Sequence, residues 1–187
     1  LRLPIVYNTN AYDSVEVLKL LDGIVDVYLP DLKYADADAG LQYSKIRDYP
    51  RYARAAIKEM HRQMGSELVF GGDGLLKRGL MIRLLVLPND IADLAANLRW
   101  IRDELGPKTG ISLMAQYYAT NKAATDERYI LLSRRISEGE WFDAVSLLEE
   151  LGMEEGFMQE YESASHYYRP DFTDAEKPFK DIRDFFG

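Results

Sequence analysis

The stretch that decides the fold is Leu80-Met81-Ile82-Arg83-Leu84-Leu85-Val86-Leu87, which Pro88 follows. It is the longest apolar run in the chain, and its only charged residue is Arg83. Strands with apolar side chains on both faces are typical of parallel sheets, because helices or a barrel interior cover each face. This run therefore predicts a central strand of an α/β protein.

Other apolar runs lie on both sides of this strand, and segments with helical spacing separate them. The further predicted strands are 3–7, 24–29, 111–115 and, more weakly, 156–159. Asp13 with Glu16, and Ser137 with Glu140, form capping-box patterns at the start of predicted helices. The alternation predicts a parallel sheet of four to five strands flanked by helices, either a doubly wound sheet or an incomplete (β/α) barrel.

Composition restricts the function of the chain. There are 187 residues, of which 47% are hydrophobic, as in an ordinary globular protein. Because 31 acidic side chains outnumber 23 basic ones, we expect no nucleic-acid partner. No apolar run approaches the ~20 residues that would span a bilayer, so we expect no membrane partner and a cytoplasmic location. The chain has no cysteine, so it cannot itself bind a thiolate-ligated iron–sulfur cluster.

The regular pattern covers residues 1–160, and residues 161–187 fall outside it. This extension begins with a polar, aromatic run and ends in a predicted amphipathic helix from Asp174 to Phe186. We therefore expect one α/β unit followed by a C-terminal extension of unassigned role.

Polar side chains follow each predicted strand, where parallel α/β proteins place their sites. They are Asn8 and Thr9, Asp31 and Lys33, Asn89 and Asp90, Gln116 and Tyr117, and Gln159 and Glu160. Helix capping is sufficient to explain Asn89 and Asp90. Asp31 and Lys33 stand two residues apart beyond a buried strand, where they could bind a zwitterionic ligand as well as serve as ordinary loop residues.

Arg83 shares one face of its strand with Met81 and Leu85, because successive side chains alternate between faces. A guanidinium there is costly unless it is paired. One interpretation is a structural salt bridge to a core carboxylate such as Asp31. The interpretation that we favour is an anchor for a carboxylate or hydroxyl of a ligand.

Four segments together resemble a known family. They are Ile5–Asn10, Tyr28–Tyr34, Ile82–Pro88 and Ser112–Tyr118. In this order and spacing they are similar to the third to sixth strands of radical S-adenosylmethionine (SAM) enzymes, in the branch that is pyruvate formate-lyase-activating-enzyme-like. The resemblance covers about residues 1–160.

The resemblance implies a partial (β/α)6 barrel whose earlier strands carry the cluster-binding motif. In that family a CxxxCxxC loop after the first strand holds a [4Fe–4S] cluster, and a Gly-Gly-Glu segment after the second strand binds SAM. Neither motif occurs in this sequence. The implied parent protein uses SAM and [4Fe–4S], cleaves SAM reductively to a 5′-deoxyadenosyl radical and is an oxidoreductase, whereas this chain alone is expected to be inactive.

The resemblance also suggests cofactor-binding positions. Asp31 and Lys33 match a DxK pair near the methionyl part of SAM, and Arg83 and Leu85 match positions that contact its ribose or adenine. Gln116 stands near a family histidine that contacts SAM. The candidate set is completed by Asn8, where related enzymes carry a cation-binding Asp, and by its neighbour Thr9. We expect no catalytic residue and no metal ligand in this chain.

The implied partners are a glycyl radical enzyme or another polypeptide substrate, and an electron donor such as flavodoxin or ferredoxin. Two alternatives remain open at this point. One is a small cluster-free (β/α) ligand-binding or lyase-like protein that uses Asp31, Lys33 and Arg83. The other is a non-catalytic interaction domain that docks through residues 161–187. If two strands are missing, the first strand has an exposed edge, and we expect self-association there.

Overall fold

The structure, a computed structural model, describes residues 3–164. The predicted helix from Asp174 to Phe186 lies outside these residues, as does most of the 161–187 extension.

In chain order the strands are β1 (Val6–Thr9), β2 (Val27–Pro30), β3 (Val69–Phe70), β4 (Leu76–Leu85), β5 (Gly110–Met114) and β6 (Gly156–Met158). The helices are α1 (Val15–Leu20), α2 (Ala37–Ser44), α3 (Tyr49–Met64), α4 (Leu94–Glu104), α5 (Lys122–Thr125) and α6 (Glu138–Glu150). Short 3-10 segments cover Pro88–Asp90, Glu127–Leu132 and Tyr161–Ala164.

The sheet has the order β1-β2-β4-β5-β6, and every neighbouring pair on this path is parallel. β3 pairs antiparallel with the start of β4 and forms a hairpin. Within residues 3–164 the sheet does not close, because β1 and β6 are its two outer strands. The predicted α/β fold with four to five parallel strands flanked by helices is confirmed, and the open sheet is consistent with an incomplete barrel.

The two faces of β4 have different neighbours. Leu80, Ile82 and Leu84 are fully buried and join the apolar cluster that includes the helix residues Ile57 and Leu98. Arg83 lies on the opposite face, which we call the site face, together with Met81 and Leu85. The apolar helix stripes therefore cover one face of the sheet, while the other remains available to line a cavity.

The hairpin covers the amino-terminal half of the site face. Leu68 lies over two glycines, and a Cβ atom added at Gly79 or Gly110 would come within 2.8 or 2.9 Å of its methyl carbons. Gly79 also has φ +145°, a conformation that other residues rarely adopt. Because Leu68 occupies this half, only the half toward the carboxyl ends of the strands stays open.

The capping predictions had different outcomes. Ser137 accepts from the Glu140 backbone N–H while the Glu140 side chain accepts from the Ser137 N–H, so the capping box of α6 is confirmed. The cap predicted at Asp13 is wrong, because Ser14 caps α1 instead. The Asp13 carboxylate accepts hydrogen bonds from Tyr7 and Thr9, and so it secures the loop after β1.

Apolar side chains are exposed at both outer strands. Leu3 and Ile5 are exposed just before β1, Val6 is exposed at its start, and Phe157 and Met158 are exposed on β6. None of the helices in residues 3–164 has the length and apolar content needed to cross a membrane.

No strand of residues 3–164 pairs with the outer edge of β1, and this leads to the first test. We expect the 187-residue chain to self-associate with rising concentration, because an unpaired strand edge with apolar side chains is a template for pairing. Light scattering over a hundredfold concentration range should show the increase in mass. Val6→Lys should reduce it, whereas Leu20→Lys on exposed α1 should not. A constant monomer mass would contradict the prediction.

Candidate functional site

A cavity of about 350 Å³ lies beyond the carboxyl ends of β2, β4 and β5. Its lining consists of Asp31, Leu32, Lys33, Tyr34, Arg83, Leu85, Leu87, Met114, Gln116, Tyr117 and Leu132. One wall carries charged groups, and the other is formed mainly by apolar and aromatic side chains. Such a combination suits a ligand with one charged end and one apolar or planar part. We call it the site cavity.

Asp31 lies at the centre of the charged wall. The chain continues one residue past β2, and there Asp31 pairs in parallel with Arg83. Its Oδ1 atom accepts from the Arg83 guanidinium at 2.6 Å, and its Oδ2 atom accepts from Lys33 Nζ at 2.8 Å. The exposed fractions of the three side chains are 17% for Asp31, 27% for Arg83 and 39% for Lys33. We refer to these three residues as the ion triad.

The ion triad combines both interpretations of Arg83. The guanidinium makes the structural salt bridge to Asp31, and it also lines the site cavity. Since Lys33 and Arg83 are cationic and Asp31 alone is anionic, the group has a net charge of +1 by formal count. A positive group at the open end of a cleft favours an anion, such as the carboxylate of an amino acid.

Tyr49 holds the backbone beneath the ion triad. It lies in the first turn of α3, its side chain is 1% exposed, and its hydroxyl accepts from the Lys33 N–H at 3.0 Å. The same hydroxyl lies 2.8 Å from the Asp31 carbonyl oxygen and 3.0 Å from the Asn10 carbonyl oxygen, and it can donate its one proton to either of them. Burial raises the pKa of Tyr49 above its usual range, so the hydroxyl stays protonated. Tyr49 therefore joins the loops after β1 and β2.

An amide pair forms another part of the site. Gln116 follows β5 and Gln159 follows β6, and the Gln159 Nε2 atom donates to the Gln116 Oε1 atom at 3.0 Å. Beside them, the Tyr117 hydroxyl donates to the Leu132 carbonyl at 2.7 Å. Burial, and then the nearby Tyr34, raise the pKa of Tyr117. The lining holds groups that bind ligands, and none of its side chains is an imidazole or a thiol.

Five of the seven candidate residues meet at the site cavity. They are Asp31, Lys33, Arg83, Leu85 and Gln116. Asn8 and Thr9 are not among the lining residues that the structure describes. Asn8 is exposed on β1, and Thr9 donates to Asp13 at 2.6 Å, so its hydroxyl is used within its own loop.

Asn89 and Asp90 make contacts within the local structure, but neither of them is the N-cap of α4. Asp90 accepts from the Leu94 N–H at 3.0 Å, although Asp93 is the N-cap of α4. Asn89 binds Arg134 and the Leu131 carbonyl, and its backbone N–H donates to Glu140. These contacts join the turn after β4 to the start of α6.

Sequence reasoning did not assign a site role to Tyr49 or Gln159. Tyr49 reaches the site from a helix that starts 16 positions after Lys33, and no local pattern marks that contact. Gln159 does stand at the carboxyl end of a predicted strand, which is the only sequence signal for its role. Within residues 3–164 no group of three or more His, Asp or Glu side chains is arranged to hold a metal ion.

Comparison with known proteins gives a relative whose own function is not assigned. No family model matches the chain, and no solved structure gives a significant match. Over 152 residues the chain is 29% identical to an uncharacterised protein of the archaeon Methanocaldococcus jannaschii. The match covers 81% of this chain, and the chain spans 40% of the length of that relative.

Proposed function

We propose that this chain is the SAM-binding part of a radical SAM enzyme similar to pyruvate formate-lyase-activating enzymes. The main support for the proposal is that five of the suggested cofactor-binding residues line one cavity. They are Asp31, Lys33, Arg83, Leu85 and Gln116. These are five of the seven positions that the resemblance suggests for cofactor binding. They come from three different strand ends, so their closeness in space does not follow from closeness in sequence.

The chemistry of SAM suits the two walls of the site cavity. Its methionyl part carries a carboxylate and an ammonium, which match the cations and the carboxylate of the ion triad. Its adenine is planar and can lie against the apolar wall, where Leu85 and Met114 are placed. When bound, SAM would supply the carbon–sulfur bond that reductive cleavage breaks. The residues of this chain would bind and orient it.

An iron–sulfur cluster does not fit the residues of this chain. Such clusters need cysteine thiolates, and the 187 residues contain none. Under the proposal, the cluster and the electron that cleaves SAM belong to a segment outside this sequence. The archaeal relative is long enough to contain such a segment as well, because the match covers only 40% of its length and the rest of that protein lies outside the match. The substrate would be a glycyl radical enzyme or another polypeptide, and the electron donor a flavodoxin or ferredoxin.

Calorimetry with S-adenosylhomocysteine, the unreactive analogue of SAM, tests the proposal. We expect the chain to bind it, and Arg83→Ala to weaken the affinity by about tenfold, as loss of a charge-assisted hydrogen bond would. Arg102→Ala is the matched control, because Arg102 pairs with Asp103 on the surface of α4. That variant should bind as the wild type does.

Two results would overturn the proposal. One is binding of a small carboxylate or phosphate with no binding of S-adenosylhomocysteine, which would favour a cluster-free ligand-binding or lyase-like protein. The other is a stoichiometric iron–sulfur cluster reconstituted on these 187 residues. The coding sequence before Leu1 provides a further check, since the proposal requires three cysteines spaced CxxxCxxC there.

A further inference from the structure

The orientation of the Gln159 amide is determined by a backbone group. The Ala115 N–H donates to the Gln159 Oε1 atom at 2.9 Å, and a backbone N–H can only donate. The oxygen of the Gln159 amide must therefore point to Ala115, and its NH2 group must point the other way. This removes the usual ambiguity between the oxygen and nitrogen of a glutamine side chain.

The same logic extends to Gln116. The Gln159 NH2 group lies 3.0 Å from the Gln116 side chain, and a favourable contact requires that Gln116 present its oxygen. The Gln116 NH2 group then points toward Met114, which also lines the site cavity, and donates to the Met114 sulfur at 3.9 Å. A thioether is a weak acceptor, so these N–H donors remain available to a ligand.

We propose that Gln159 is a positioning residue that makes Gln116 a hydrogen-bond donor toward the site cavity. The cavity therefore selects ligands that place a hydrogen-bond acceptor, such as a ring nitrogen or a hydroxyl oxygen, at Gln116. A ligand that places an N–H donor at that point would set its donor against the N–H donors of Gln116, with no acceptor for either. Such mismatches are costly in a buried site. The inference deepens the proposed function and rests on it for the identity of the ligand.

NMR spectroscopy of the 187-residue chain tests the orientation without any ligand. We expect a nuclear Overhauser effect between the Gln116 side-chain NH2 protons and the Met114 methyl group. In Gln159→Glu, both carboxylate oxygens accept, so Gln116 should turn its NH2 group to them and this signal should disappear. Loss of the amide resonances in Gln116→Leu provides their assignment.

Calorimetry tests the selection. Gln159→Glu should weaken S-adenosylhomocysteine binding by about tenfold, since Gln116 then presents its oxygen to the ligand. Gln42→Glu on exposed α2 adds the same charge away from the cavity and should change nothing. Unchanged affinity in Gln159→Glu would overturn the selection by donors.

The two measurements separate this inference from the proposed function. If the wild type does not bind S-adenosylhomocysteine but shows the Overhauser effect, the proposed function is wrong and the orientation of Gln116 stands. If the Overhauser effect is absent from the wild type, or persists in Gln159→Glu, the inference is overturned whether or not the ligand binds.

Discussion

Asp31→Ala is expected to lower the free energy of unfolding by about 2–3 kcal/mol, because it leaves two cations without their shared counterion. Most of this loss of stability comes from the unpaired Arg83 guanidinium, because Arg83 lies on a central strand and its side chain is only 27% exposed. The pair is not completely buried, and so the expected cost lies below that of breaking a fully desolvated ion pair. Urea denaturation followed by circular dichroism measures the change.

Two comparisons show whether the ion triad is the cause. Asp103→Ala removes a carboxylate from the surface pair with Arg102 and should cost under about 0.5 kcal/mol. The double variant Asp31→Ala/Arg83→Met removes both partners, and it should be more stable than the sum of the single variants implies. Additive effects would mean that Asp31 and Arg83 do not interact energetically.

Gly156→Ala should detach β6 and lower the free energy of unfolding by about 3 kcal/mol. Gly156 lies against the backbone of Ile111 on β5, and an added Cβ atom would overlap with the Ile111 carbonyl oxygen. Its φ is +130°, which also disfavours any side chain. Because the obstacle is backbone, only movement of β6 can relieve the overlap. Hydrogen exchange of the Ile111 amide, which donates to Glu155, should accelerate.

Gly152→Ala shows how much of the loss is due to steric overlap and how much to a positive φ, because Gly152 has the positive φ without the overlap. Gly152 has φ +64°, but nothing lies within 4 Å of an added Cβ atom. That variant should cost about 1 kcal/mol and leave exchange at Ile111 unchanged. Gly156→Ala should also break the hydrogen bond from the Ala115 N–H to the Gln159 side chain, because Gln159 directly follows β6 and moves with it. Equal losses of stability in the two variants would rule out the steric explanation.

The sequence was sufficient to predict the succession of parallel strands along the chain and the residues that share a face of β4 with Arg83. Apolar runs such as Leu80–Leu87 identify buried strands, and the alternation of strand and helix indicates a parallel sheet. The boundaries were less accurate. β1 begins at Val6 rather than Leu3, since nothing pairs with its outer edge within residues 3–164.

The site was only partly predictable, for a physical reason. Residues placed directly after strands, such as Asp31 and Gln116, can be assigned to one edge of the sheet without coordinates. The residues that orient them act through contacts between distant parts of the chain. The Tyr49 hydroxyl meets the backbone of Lys33, and Gln159 meets Gln116 43 positions away. No periodicity records such contacts.

The Tyr49 hydroxyl makes two loops behave as one body. It lies within hydrogen-bonding distance of Asn10 after β1 and of Asp31 and Lys33 after β2. A displacement of β1 can therefore move the ion triad through Tyr49, without any direct contact between β1 and the ion triad. Thermodynamic linkage requires that any effect of pairing at the β1 edge on ligand affinity be matched by an equal effect of the ligand on that pairing.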